Sequence, residues 1–201
     1  MNIHLYGGDI MKHFISRKDR IILSAIDIIN ELGLQGLSIK EIATRQQVND
    51  SALYRHFKSK DEIILGVIEY FSKFDTAIYN SAVQKEIKQK DKILQYLKSY
   101  LEYYEGYPAI TAMLLSYEGL RYDPIIKGKM NEIFTYRLNN TAHLIQDSQD
   151  ENEISKLFSS MELAAILIGY CDKIILEWRM ADFKYTFKEE SMDTIKKLLS
   201  I

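Results

Sequence analysis

The chain has 201 residues, 47% apolar and 27% charged, which is enough to bury a core in one large or two small domains and too apolar for intrinsic disorder. Two prolines and nine glycines are too few for an all-β sandwich or barrel with a turn every ten or so residues, and they exclude collagen-like repeats, which leaves long helices. The net charge of -2 hides an asymmetry: residues 1–60 carry nine Lys/Arg against six acids and the remainder 17 against 22, so a polyanion would choose the first sixty residues.

The one cysteine, Cys171, makes no intrachain disulfide and reads as a buried, inert thiol. No stretch approaches the roughly 18 uninterrupted apolar residues of a membrane span. The opening MNIHLYGGDI lacks the basic start and apolar run of a secretory signal, so the expected setting is a reducing cytoplasm without a membrane partner. Met11 is followed at once by the basic lead-in KHFISRKDR, so residues 1–11 read as a disordered extension. Gly7-Gly8-Asp9 follows no strand and opens no helix, which argues against a phosphate loop.

Ile21, Ile22, Ala25, Ile28, Ile29 and Leu32 recur at helical spacing between Ser16-x-x-Asp19 and Gly33, which predicts a capped helix over 17–32. Ser38 with Glu41 repeats the capping pattern before Ile39, Ile42 and Ala43, and Ser59 with Glu62 does so before Ile63, Ile64, Val67, Ile68 and Phe71. Between them Asn49 caps a brief helix over 50–56 that turns Leu53 inward, with Val48 and Phe57 at its ends. Further helices are expected over 60–81, 88–104, 108–120, 124–148, 153–179 and 187–200. Asp123-Pro124 supplies a cap and a first-turn proline, and Thr186 with Glu189 a further box. Segment 157–178 carries two apolar stripes, Leu157, Met161, Ala164 and Ile168, and Leu163, Leu167, Tyr170, Ile174 and Trp178, so both faces need cover.

The run GLSIKEIATRQQVNDSALYRHFKSKDEII resembles the DNA-binding signature of the TetR family of bacterial transcriptional regulators. The matching elements are Ser38, Ile42-Ala43, Val48, Leu53-Tyr54-Arg55-His56-Phe57 and Ser59-Lys60, within a resemblance spanning about residues 14–70. It implies an all-α chain: an N-terminal helix-turn-helix head over 12–60, joined through a shared helix to a larger ligand-binding and dimerisation bundle over 61–201. Two departures stand out. Gln47 occupies the turn position that usually holds glycine, so either it accepts a left-handed conformation or the turn changes. Asn49-Asp50-Ser51 replaces a pattern of Ser, a variable residue and a small residue, and Asp50 would set a carboxylate near phosphate unless it accepts from a cytosine amino group or restrains a basic neighbour.

The residues support the same reading on physical grounds. A short capped helix fits a major groove roughly 12 Å wide, and its outward Asp50, Ser51, Ala52, Tyr54, Arg55 and His56 are compact and polar enough to touch base edges and phosphates. Asn49 caps that helix. Ser38 and Lys60 open helices whose exposed N–H groups face phosphate, Lys40 lies one turn in, and in the resembling family the residue at its position can reach a base. Arg17, Lys18 and Arg20 would add salt-dependent affinity without sequence reading. Phe57 reads as core, Tyr54 as a packed ring with a phosphate-reaching hydroxyl, and Arg55 and Lys58 also suit an ordinary solvated face. His4, His13, His56 and His143 share no ligand spacing, so no metal is expected.

In the larger domain the resemblance implies a cavity for a small inducer. Tyr96, Tyr100, Tyr103, Met113, Tyr117 and Phe134 are candidate walls for a hydrophobic or aromatic ligand, with Tyr hydroxyls or His143 as anchors. Tyr100, Tyr103 and Tyr104 span nearly a turn and cannot all face it, and each candidate equally suits a packed core. No catalytic residue or cofactor is expected, since no phosphate loop, HExxH, CxxC or GxSxG occurs. The expectation is a repressor that binds a palindromic duplex operator as a homodimer through 153–179 and 187–200, released by an unidentified effector. The competing expectation is a helical adaptor or small-molecule-binding protein without an operator.

Overall fold

A computed structural model describes residues 16–200, and the extension read over 1–11 lies outside them. Helix α1 (Arg17–Gly36) is opened by Ser16, whose hydroxyl accepts from the Asp19 N–H at 3.1 Å and donates to its carboxylate at 2.7 Å. Gly33, at φ 71° and ψ 177°, occupies a region open to glycine alone and sets residues 34–36 apart as a separate last turn. Helix α2 (Ile39–Gln46) is capped by the Ser38 hydroxyl, which accepts from Glu41 N–H at 3.1 Å. It buries Ile42 and Ala43 and is tied to α1 by the Gln46 amide, which donates to the Ser24 hydroxyl and the Arg20 carbonyl.

Gln47 does adopt the left-handed conformation, at φ 53° and ψ 44°. Its N–H donates to the Thr44 carbonyl at 3.1 Å and the Val48 N–H to the Ala43 carbonyl at 3.0 Å, a Schellman closure that would ordinarily hold glycine. Helix α3 (Asp50–Tyr54) follows, and its last turn is closed by the N–H groups of His56 and Phe57, which both donate to the Leu53 carbonyl. Helix α4 (Lys60–Phe71) is capped by Ser59, whose hydroxyl accepts from Glu62 N–H at 3.2 Å.

The helix expected over 60–81 is interrupted at Ser72–Phe74 and resumes as α5 (Asp75–Val83). The Ser72 hydroxyl donates back to the carbonyls of Ile68 and Glu69, and Ser72 leaves helical geometry. Helix α6 (Gln89–Gly106) matches expectation. The single helix expected over 108–120 is instead a 3₁₀ turn at Pro108–Ile110, α7 (Thr111–Leu115) and α8 (Tyr117–Leu120). Hydroxyls of Thr111 and Ser116 bond back to the carbonyls of Pro108 and Ala112, each at 2.6 Å, and compete with the helical ladder. Helix α9 (Pro124–Asp150) begins where the Asp123 carboxylate accepts from the N–H groups of Ile125 and Ile126, both at 2.9 Å.

Helix α10 (Ser160–Met180) starts seven residues later than expected, at a reciprocal capping box of Ser159 and Glu162. Leu157 is therefore outside the helix and exposed, and does not extend an apolar stripe. In α11 (Lys188–Leu198) the expected Thr186–Glu189 box does not form. The Glu105 carboxylate of α6 caps that helix, accepting from the N–H groups of Phe187 at 3.1 Å and Lys188 at 3.3 Å.

These helices form two compact units, Met1–Lys73 with Gly106–Asn131 and Phe74–Glu105 with Glu132–Ile201. In the first, α1 packs against α2, α4 and α7 over Ile21, Ile22, Ile26, Ile42, Leu53, Phe57, Ile63, Ile68 and Met113. In the second, the Trp178 indole N–H donates to the Tyr185 carbonyl at 2.6 Å and its ring packs on Phe187, fixing the turn between α10 and α11.

Replacing Gln47 with glycine removes a left-handed strain of about 1–2 kcal/mol and adds about 0.5–1 kcal/mol of unfolded-chain entropy. Thermal denaturation should therefore show Gln47→Gly more stable than the parent by roughly 0.5–1 kcal/mol.

Candidate nucleic-acid interface and buried cavity

Helix α3 is held from below. Leu53 is fully buried and Phe57 nearly so, with the Lys18 ammonium over the Phe57 ring at 5.4 Å. What remains outward is the sequence-chosen set: Asp50, Ser51, Tyr54, Arg55 and His56 are exposed and Ala52 is half-buried. Tyr54 is 54% exposed, so its ring stands clear of the core and does not pack. Ser38, Lys40 and Asn49 are also exposed, while Lys60 is half-buried with its ammonium donating to the Leu34 carbonyl at 3.4 Å. Beside α3 lies an open groove of about 400 Å³, walled by Tyr54, Arg55 and His56 together with Lys18 and Lys58, and by the carboxylates of Glu62 and Glu69.

Capping restricts what these side chains can offer. Asn49 Oδ1 accepts from the Ala52 N–H at 3.1 Å and from the Ser51 hydroxyl at 2.9 Å, so its amide NH₂ is left to donate and Ser51 is left to accept. Asp50 stands in the first turn of α3, where its charge complements the helix N-terminus. Arg45, the other cation of α2, is committed elsewhere: it pairs with Glu31 at 2.8 Å and Glu41 at 2.9 Å, and those bonds raise its pKa.

The second unit contains a buried ion pair that sequence reasoning missed. Arg137 of α9 binds both carboxylate oxygens of Asp75, at 2.8 and 2.9 Å, donates to the Tyr104 hydroxyl at 2.9 Å and lies 4.9 Å from the Tyr100 ring centre. Burial alone would lower the Arg137 pKa, but Tyr104, Asp75 and Tyr100 hold it above its ordinary value. The pair joins residues 62 positions apart, which no local pattern announces.

Next to Arg137 is a cavity of about 50 Å³, lined by residues of α6, α9 and α10. Of the sequence-chosen walls only Tyr96 and Tyr100 reach it. Met113 is core of the first unit, Tyr117 is half exposed there, His143 is exposed, Tyr103 packs edge-on against Phe74, and Phe134 is half-buried away from the cavity. The cavity's ionisable groups are Tyr104, Arg137, Cys171 and Asp172 besides the two tyrosines. Burial pushes Asp172 up to about 6, with Arg137 opposing, and the Cys171 thiol up to about 12. The hydroxyls of Tyr96 and Tyr100 are buried without a hydrogen-bond partner of normal geometry, and burial raises both pKa values, Tyr96 to about 12.

Residues 21–67 match the profile of bacterial regulatory proteins of the tetR family, which ends inside α4 and spans the whole helix-turn-helix. Residues 21–67 carry the TetR-family DNA-binding module. The nucleoid occlusion factor SlmA of Actinobacillus pleuropneumoniae is 24% identical over 170 residues, 84% of each chain. The regulator MbdR of Azoarcus sp. CIB superposes with a TM-score of 0.81 at 21% identity, covering 92% of this chain and 97% of that one. FadR of Bacillus subtilis, solved in complex with stearoyl-CoA, superposes with a TM-score of 0.77 at 23% identity, covering 90% and 97%. These likenesses establish the TetR fold over both units.

Burial raises the Asp172 pKa to about 6 in the fold, above that of an unfolded aspartate. The native state therefore holds the proton where the unfolded chain has lost it, and stability falls as pH rises between about 4 and 6. Asp172→Asn should raise the melting temperature at pH 7.5 and change it little near pH 3.5, as calorimetry at the two pH values will measure.

Proposed function

We propose that the chain is a cytoplasmic, homodimeric repressor that reads duplex DNA with α3 and is released by a small molecule held in the cavity of its second unit, without a catalytic role, metal or cofactor. The observation that carries this reading is the outward face of α3, a compact polar surface on a one-turn helix fixed by Leu53 and Phe57. Asp50, Ser51, Ala52 and Tyr54, with Lys40, are the base-reading residues. Ser38, Asn49, Arg55, His56 and Lys60 position the head on phosphates. Ser51, left as an acceptor, suits a base amino group, and Asn49, left as a donor, suits a phosphate oxygen.

The effector part of the reading is supported by the cavity and by the complex of the similar FadR with stearoyl-CoA. The functional division is a head over 12–60 and a ligand-binding and dimerisation part over 61–201. A second copy would cover α10, where Met161, Ala165, Gly169, Leu176 and Met180 form one exposed apolar stripe. Leu167, Phe187, Ile195 and Leu199 are covered within the chain, so they serve its own core. The similarity to the nucleoid occlusion factor SlmA favours a second reading, a nucleoid occlusion role.

Binding of the full chain to DNA upstream of its own gene tests the proposal. Affinity should fall steeply with salt, and Lys60→Ala should lower the slope of log K against log salt by about one while weakening specific and unrelated duplexes alike. Leu176→Glu should give monomers by light scattering that lose operator affinity. Binding without salt dependence, or full operator affinity as a monomer, would contradict the proposal; sequence-specific binding that leaves transcription of the neighbouring gene unchanged would favour the second reading.

A further inference from the structure

We infer that the cavity of the second unit is a site for the ammonium head of a small organic amine, with Asp172 as counter-ion and the Tyr96 and Tyr100 hydroxyls as hydrogen-bond acceptors. This rests on the effector reading above and names the chemical class of the ligand.

The charges around the cavity leave one negative group unmatched. Arg137 is bound by both oxygens of Asp75 and by Tyr104, so its positive charge is already matched. Asp172 lines the same cavity, half-buried; the Arg137 charge reaches it, but among the described residues it has no hydrogen bond or ion pair of its own. An anionic ligand would face the Asp172 carboxylate and would have to share with Asp75 an Arg137 charge that Asp75 already matches. A neutral ligand would leave Asp172 as it stands. An ammonium alone completes the charge, and it carries only donors, which the two unpartnered tyrosine oxygens, both more than nine-tenths buried, can accept.

The size of the space narrows the class. At about 50 Å³ the cavity is a third of the roughly 150 Å³ apolar cavity that takes benzene, so it admits a primary or methylated ammonium with a short alkyl stem. Leu97, Leu101, Ile168 and Ile175 supply the apolar wall for that stem. This narrows the hydrophobic or aromatic ligand suggested by a tyrosine-rich sequence to one with a charged head.

Binding should be linked to protons. The other groups facing Asp172 are Tyr100 and Tyr104 on α6, Arg137 on α9 with Asp75 of α5 behind it, and Cys171 on α10. Burial holds Cys171 and Tyr104 near 12, and Tyr100 and Arg137 are also raised. An amine that requires ionised Asp172 should then bind about tenfold more tightly at pH 7.5 than at pH 5.

The test is calorimetric titration of the full-length protein with propylamine and butylamine against propanol and butanol at both pH values. Amines should bind at least tenfold tighter than the alcohols at pH 7.5, lose about tenfold at pH 5, and lose their advantage in Asp172→Asn. The comparison of pH values uses the parent protein, so it stands even where the variant fails to fold. Equal binding of amines and alcohols, no pH effect, or no binding by either overturns the amine assignment. Anisotropy of an operator complex against a library of neutral and acidic compounds separates the two claims: release by one of these keeps the effector reading and removes the amine, and release by no compound removes both.

Discussion

A helix of five residues does not hold itself together in water. Nucleating one turn fixes several dihedrals for a single hydrogen bond, and isolated helices below about 12 residues are marginal even in alanine-rich sequences. Helix α3 is such a helix, and the first unit supplies from outside what α3 lacks. Asn49 satisfies its first donors, Leu53 and Phe57 fasten it from below, and the Schellman closure at Gln47 sets the angle at which the chain enters. Each capped neighbour performs the same service for the next, so α1, α2 and α4 together form a rigid mount for one turn of outward polar side chains. Rigidity is the functional requirement, because base edges are distinguished by the fixed geometry of donors and acceptors.

The second unit follows a different logic. Its interior holds Arg137 and Asp75 among tyrosines, with Asp172 half-buried beside them, an arrangement that apolar residues of equal volume would often match or exceed in stability. The two-toothed bond between Arg137 and Asp75 satisfies that pair, whereas the hydroxyls of Tyr96 and Tyr100 remain without partners of normal geometry and Asp172 feels only the Arg137 charge. Buried polar groups left in this state destabilise the fold by an amount that a suitable ligand would return as binding energy. The polar cavity therefore makes more sense as a binding device than as core.

What could be read from the sequence was local. Caps at Ser16, Ser38, Asn49, Ser59 and Asp123 all act across two or three residues, and each is where its pattern placed it. Breaks at Ser72 and Ser116 escaped because a hydroxyl that bonds back to its own helix leaves the apolar periodicity intact. Ser159-x-x-Glu162 was present but hidden by the apolar rhythm running from Leu157. Glu105 capping α11, and Arg137 binding Asp75, join residues 82 and 62 positions apart, and only the packed chain brings them together. Tyr96 and Tyr100 line the cavity but Tyr103 and Tyr117 do not, for the same reason: helical spacing gives a face, but which neighbour covers that face is settled by tertiary structure.

Selection of duplex DNA from a randomised pool by the full-length chain tests the central claim, that the mounted face of α3 reads sequence. The account predicts enrichment of a two-fold symmetric motif whose half-site bases change when Ser51 or Tyr54 is substituted while the protein remains folded. A folded protein that enriches no sequence, or one whose enriched motif is indifferent to both substitutions, would contradict it.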